Sequence, residues 1–191
     1  MSINLKRSII QHFSGKNRFG FSSKEVAREF PGTNRVYLAR ILADLVRNGM
    51  LLKITRDSYH IIPWNENPET YIPDQYRYAK YLMKEKEYYF GYASALEIHG
   101  LSFQSEGTES GSRLYVVTNF QMKPAIRSFL GITCQFVFHD EIRFFGYEKL
   151  WIKNFEEAMV SDLERTIVDI TTHPRYFGGI VGIGKAIYKT R

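Results

Sequence analysis

The chain has 191 residues, 44% apolar and 15% aromatic, enough to bury one large core or two small ones and too much for a disordered chain. Its charge is uneven: residues 1–62 carry 11 Lys/Arg and 4 Asp/Glu, a net +7, whereas residues 63–191 carry 15 Lys/Arg and 16 Asp/Glu, a net −1. No apolar run nears the ~20 residues that a membrane helix needs, no signal-peptide core follows the first residues, the lone Cys134 excludes an internal disulfide, and no Cys/His spacing suggests zinc.

A cytoplasmic protein with no membrane partner, no metal and no cofactor is therefore expected. The basic first third is the electrostatic footprint of double-stranded DNA, whose counterions Lys and Arg displace, or else a solvated surface with no partner.

The elements of residues 1–62 bear on that choice. Leu5, Ile9 and Phe13 form one stripe of a first helix, which Gly15-Lys16-Asn17 breaks. Ser22 and Glu25 make an S-x-x-E capping box at the start of a second helix, which buries Val26, Ala27 and Phe30 and ends at Pro31-Gly32. Thr33 or Asn34 caps a third helix with buried positions Leu38, Ile41, Leu42, Leu45 and Val46, and Gly49 stops it. Two β-rich runs, Met50–Thr55 and Tyr59–Ile62, flank the polar turn Arg56-Asp57-Ser58 and predict a hairpin.

Three helices and a hairpin predict a winged helix-turn-helix, whose third helix enters the major groove. At about 100° per residue, Thr33, Val36, Tyr37, Arg40 and Arg47 face away from the core stripe. Arg40 suits a guanine edge and Val36 a thymine methyl. Arg35, at the edge of the stripe, suits phosphate contact or packing. Ser23 and Lys24 at the second helix, Asn34 at the third, and Lys53 and Arg56 on the wing complete the DNA-binding candidates. The competing reading of each is a solvated face.

Pro63–Pro73 reads as a linker. Beyond it, 74–191 predicts a mixed α/β domain, so the whole chain is α+β. A tyrosine-rich helix is expected over Asp74–Lys86 and another over Tyr92–His99, closed by Gly100. Ser105–Ser112 reads as a mobile polar loop. Strands are expected at Leu114–Thr118, Thr133–His139 and Ile142–Tyr147, with Lys149–Lys153 after them and a short helix near Pro124–Leu130. Ser161 is the expected cap of a helix buried through Leu163, Ile167 and Ile170, with Asp162 and Glu164 in its first turn. The run Gly178–Gly184 lacks the ending of a phosphate loop and predicts a turn into a helix at Lys185.

Several motifs occur in a recognisable order. They are Phe21–Ala27, the helix Val36–Val46 with Arg47-Asn48-Gly49, Phe90–Leu96 with His99-Gly100-Leu101, and Val160–Asp169 with Gly178-Gly179-Ile180. Together they resemble the AbiEi-type antitoxins and related transcriptional regulators of type IV toxin–antitoxin systems, over nearly the whole chain. The resemblance implies a winged helix at 1–62 that represses its own operon from promoter DNA. It also implies an antitoxin domain at 74–191, incomplete at its C-terminus, that counters a nucleotidyltransferase-like toxin of the AbiEii type. No catalytic residue is expected. Two other readings compete: a winged-helix regulator whose second domain takes a different ligand or partner, and a metal-dependent nuclease built on Asp162, Glu164 and Asp140 or Glu141.

Overall fold

The structure is a computed structural model that describes residues 2–16, 18–101, 113–152 and 157–177, together with 179, 183 and 188. The polar loop 105–112, most of the glycine-rich run and the helix expected at Lys185 lie outside the described residues. The chain is mixed α+β, with six α-helices and two sheets among the described residues. It divides into two compact units, Met1–Pro73 and Asp74–Arg191. No helix among the described residues is long and apolar enough to cross a membrane.

In the first unit, α1 (Ser2–Gly15) turns Ile9 and Phe13 fully inward, with Leu5 packed beside them. Next comes β1 (Gly20–Ser22), and α2 (Ser23–Glu29) starts at the capping box. Ser22 Oγ accepts from the Glu25 amide at 3.2 Å, and the Glu25 carboxylate accepts from the Ser22 amide at 2.7 Å. Two otherwise orphaned donors are satisfied this way, so Ser22→Ala is expected to cost about 1 kcal/mol in urea unfolding. A midpoint equal to that of the unsubstituted chain would contradict the cap's role.

α3 (Arg35–Arg47) takes Asn34 as its cap and buries Leu38, Ile41, Leu42 and Leu45, the expected stripe. Its end is set by Gly49, whose φ of +67° is left-handed; a Cβ there would also meet Pro68 Cβ at 2.7 Å. That close approach places residues 63–73 differently from the expected linker. They pack back onto the first unit, where the Tyr71 hydroxyl lies 2.7 Å from His60 Nε2 and the two rings stack.

The hairpin forms from β2 (Leu51–Lys53) and β3 (Ser58–Ile61). β1 adds to its other side, giving an antiparallel sheet in the order β1-β3-β2. As the central strand, β3 is buried at all four positions. With 63–73 included, the first unit carries 11 Lys/Arg and 6 Asp/Glu, a net +5, and the second 15 and 14, a net +1.

The second unit is built on a six-stranded sheet. Its elements are α4 (Gln75–Met83), β4 (Tyr89–Phe90), α5 (Tyr92–Ile98), β5 (Arg113–Thr118), β6 (Ile126–Phe129), β7 (Ile132–Phe138), β8 (Tyr147–Trp151), β9 (Glu157–Ser161) and α6 (Leu163–Thr172). The strand order is β6-β7-β5-β4-β9-β8; β5 runs parallel to β7 and β4 to β9, and the other pairs are antiparallel. Tyr76 of α4 meets Phe90, and Tyr78 stacks on Phe129. On the opposite parity, Tyr89, Tyr115 and Val117 pack with residues of α5 and α6. Helices on both faces explain the near-continuous burial of β5. Cys134 is buried in β7, and burial pushes its thiol up to about 12, so it is an inert packing group.

Three expectations change here. The helix near Pro124–Leu130 is instead β6, joined to β7 by Leu130-Gly131, both at positive φ (+48° and +80°). A two-residue loop of that kind matches the twist of a hairpin. Ile142–Tyr147 is not a strand: Ile142 is exposed, the segment turns around the Asp140–Arg143 ion pair, and β8 starts only at Tyr147. Ser161 does not cap α6, because it is consumed as the last residue of β9. The cap is Asp162, whose carboxylate accepts from the Arg165 amide at 2.7 Å.

Candidate nucleic-acid interface

The first unit carries a groove of about 1090 Å³ lined by α2, α3 and the hairpin. Of the expected DNA-binding residues it gathers Ser23, Lys24, Arg35, Lys53 and Arg56. It adds Arg28, which sequence reasoning missed although it stands one helical turn after Lys24. The floor is apolar, with Ala27, Leu38 and Leu42. Ser23 ties the groove together: its amide donates to the Asp57 carbonyl at 2.9 Å, fixing the start of α2 against the hairpin turn.

The remaining candidates lie outside the groove. Val36, 72% exposed, and the exposed Arg40 and Arg47 lie on the side of α3 opposite its core stripe, with Tyr37 on its flank. Asn34 is committed to the cap, its Oδ1 accepting from the Val36 amide at 2.8 Å, so its carbonyl oxygen is already used. Thr33 is half-buried, with its amide directed at the Phe30 carbonyl. Arg47 shares an ion pair with Asp44 at 3.3 Å, and Arg28 one with Glu29 at 3.4 Å.

Lys24, Arg35, Arg40, Lys53 and Arg56 are exposed and make no ion pair or hydrogen bond with any described residue. Unpaired exposed cations cost nothing in water and keep their full charge for an anionic partner. The acids of this unit are largely engaged. Glu25 pairs with Arg18, and Glu29 with Lys16 and His12. Burial raises the Glu25 pKa, but bonds from Arg18 and Ser22 outweigh it and hold the carboxyl below its ordinary value.

The acids considered for a nuclease do not converge. Asp162 caps α6, Asp169 is buried against Arg165 at 3.0 Å, Asp140 pairs with Arg143 at 2.8 Å, and Glu141 and Glu164 are exposed. Among the described residues, no group of three or more His, Cys, Asp or Glu is placed to hold a metal ion.

The second unit does contain a polar cluster that the sequence concealed. His139, 4% exposed, meets the Tyr89 hydroxyl at Nδ1 (3.1 Å) and the Tyr92 hydroxyl at Nε2 (2.9 Å). Arg165 spans His139 Nδ1 at 3.2 Å and Asp169 Oδ2 at 3.0 Å. The members come from β4, α5, the end of β7 and α6, so no local spacing joins them. Burial pushes the His139 pKa below its ordinary value; Asp169 acts the other way and Arg165 adds to the lowering.

The unfolded chain therefore takes up a proton below about pH 6.5 that the folded chain refuses. The contribution to stability is present above that pH and is lost as pH falls, at up to about 1.4 kcal/mol per unit. Urea midpoints at pH 7.5 and 5.5 are expected to fall less in His139→Gln than in the unsubstituted chain. An equal fall in both would contradict the assignment.

No protein-family model matches this chain, and no curated protein matches it.

Proposed function

We propose that this protein is a DNA-binding transcriptional repressor of the winged helix-turn-helix type, acting on its own operon through its first unit. The observation that carries the reading is the set of five unpaired cations, Lys24, Arg35, Arg40, Lys53 and Arg56, spread over α2, α3 and the hairpin. A duplex is a dense line of phosphates, and cations left without partners on three neighbouring elements suit it. The order of three helices and a hairpin, with a short strand β1 closing the sheet, supports the winged-helix reading. On this reading α3 enters the major groove with Arg40 and Val36 toward base edges. Ala39 and Ala43, exposed and small, let its backbone come close. Lys24, Lys53 and Arg56 meet phosphates.

The second unit acts as an antitoxin against a nucleotidyltransferase-like toxin. Support comes from the resemblance of Phe90–Leu96 and Val160–Asp169, which form β4 with the start of α5 and β9 with α6. The protein itself performs no hydrolysis.

The test is footprinting on the chain's own promoter, together with co-expression beside the toxin. A protected operator and relief of toxicity are expected; an unprotected promoter overturns the repressor reading. Lys53→Ala and Arg56→Ala are each expected to weaken all duplexes alike and to lower the salt slope by about 1, as loss of one phosphate contact does. An unchanged slope removes that residue from the interface.

A further inference from the structure

The second unit holds a pocket of about 180 Å³ lined by Tyr92, His139, Arg143, His173, Arg175 and Tyr176, with Phe136–Phe138 behind them. The volume is below that of a drug-sized ligand site and is room for about six waters at ~30 Å³ each. Its polar groups are hydroxyls, ring nitrogens and guanidinium groups, of which the guanidinium groups can only donate. Arg175 is exposed and makes no ion pair with a described residue, whereas Arg143, also exposed, is paired with Asp140 at 2.8 Å through Nε and Nη2 and keeps only Nη1 to offer.

The hydrogen bonds behind the pocket fix the direction of a third donor. Arg165 can only donate, so His139 Nδ1 must accept from it. The neutral imidazole then carries its proton on Nε2 and donates it to the Tyr92 hydroxyl oxygen. The Tyr92 proton is left over, and no acceptor for it occurs among the described residues. His173 Nδ1 is likewise buried with no partner among them, a costly state for a polar atom.

The backbone is strained at the same place. Tyr92 has a φ of +54°, the left-handed region that a bulky side chain rarely enters. The preceding Gly91 admits no side chain, since a Cβ would meet Val117 Cγ2 at 2.8 Å. Strain held by tight packing beside an unsatisfied hydroxyl proton and an unpartnered ring nitrogen marks a site organised for something other than stability.

We propose that this pocket receives the phosphate group of a small molecule. Arg175 of the turn Pro174–Tyr176, the Nη1 edge of Arg143 after β7 and His173 at the end of α6 approach it from different elements, with the fully buried Tyr92 of α5 behind them. That suits a group with three charged oxygens better than a planar carboxylate with two. Arg175 lies along the Tyr176 ring and donates from Nη2 to its hydroxyl at 2.9 Å, which holds the rest of the guanidinium at the rim. The site is independent of DNA binding, which rests on other residues of the other unit.

The experiment is a titration of the full chain at constant ionic strength, read by thermal shift and by phosphorus NMR line width. Inorganic phosphate, glycerol phosphate and acetate are the three arms. Saturable responses to phosphate or its monoester are expected, with glycerol phosphate the stronger if the source is an ester and inorganic phosphate the stronger if it is the free ion. Arg175→Ala should weaken binding roughly tenfold or more, as loss of a charge-assisted bond does. Arg175→Lys should fall between the two, because it keeps the charge and loses the fork. Arg40→Ala, in the first unit, should leave the response unchanged. No saturable response, an equal response in Arg175→Ala, an equal response to acetate, or loss in Arg40→Ala would each overturn the proposal.

Discussion

Arg165→Met is expected to destabilise the second unit by about 3–5 kcal/mol, the cost of leaving a buried charge without its partner. The side chains of Arg165 and Asp169 are 11% and 7% exposed and meet at 3.0 Å, one turn apart on α6. Arg165 also donates to His139 and lies over the Phe145 ring at 4.7 Å. Removing it therefore strands the Asp169 carboxylate and loosens the tyrosine–histidine cluster together. The double variant Arg165→Met with Asp169→Leu should recover much of the loss, because no unpaired charge remains. Urea unfolding followed by tyrosine fluorescence measures both. A loss below about 1 kcal/mol in the single variant would mean that Asp169 reaches water, against its burial.

Arg40→Ala should cost about 1–3 kcal/mol of operator affinity, or tenfold to more than a hundredfold, and relax one base-pair position. Arg40 is exposed on the solvent side of α3 and makes no bond to the described protein, so its removal leaves the fold intact. A competition assay over operators changed one position at a time separates its role from a phosphate contact. Equal weakening across all sequences would reassign Arg40 to phosphate, and unchanged affinity would remove it from the interface.

How far the sequence reached depended on how local each signal was. The Ser22–Glu25 box and the stripe from Leu38 to Leu45 are local patterns, and both helices form where those patterns put them. β1 and β4, with three and two residues, are too short to show a period and exist because long-range partners pair with them. The helix expected from a Ser161 cap starts one residue later, after Asp162, because Val160 pairs across to Phe90 and Ser161 ends β9, a strand whose partner the local pattern does not show. Pro63–Pro73 carries the composition of a linker, but composition does not reveal that Tyr71 meets His60.

The candidate interface was legible for a related reason. Arg40 and Arg47 sit on α3, whose clear periodicity gives their outward direction from the buried stripe, and Arg56 stands in the polar turn that marks the hairpin. Arg28, on the shorter α2, has no such stripe to direct it, and Asn34 is a helix cap whose carbonyl oxygen is already used. The cluster around His139 has no local signal because its members lie up to 50 residues from His139 in the chain and meet only across the sheet.

The salt dependence of binding by the full chain to its own promoter tests the central claim most directly. The three cations assigned to phosphates, Lys24, Lys53 and Arg56, each displacing about 0.9 counterion from the duplex, predict a slope of log affinity against log salt of about −3, with tighter binding to the promoter than to a scrambled duplex. A slope near zero, or a fragment of residues 74–191 that binds the promoter as tightly as the full chain, would contradict the account.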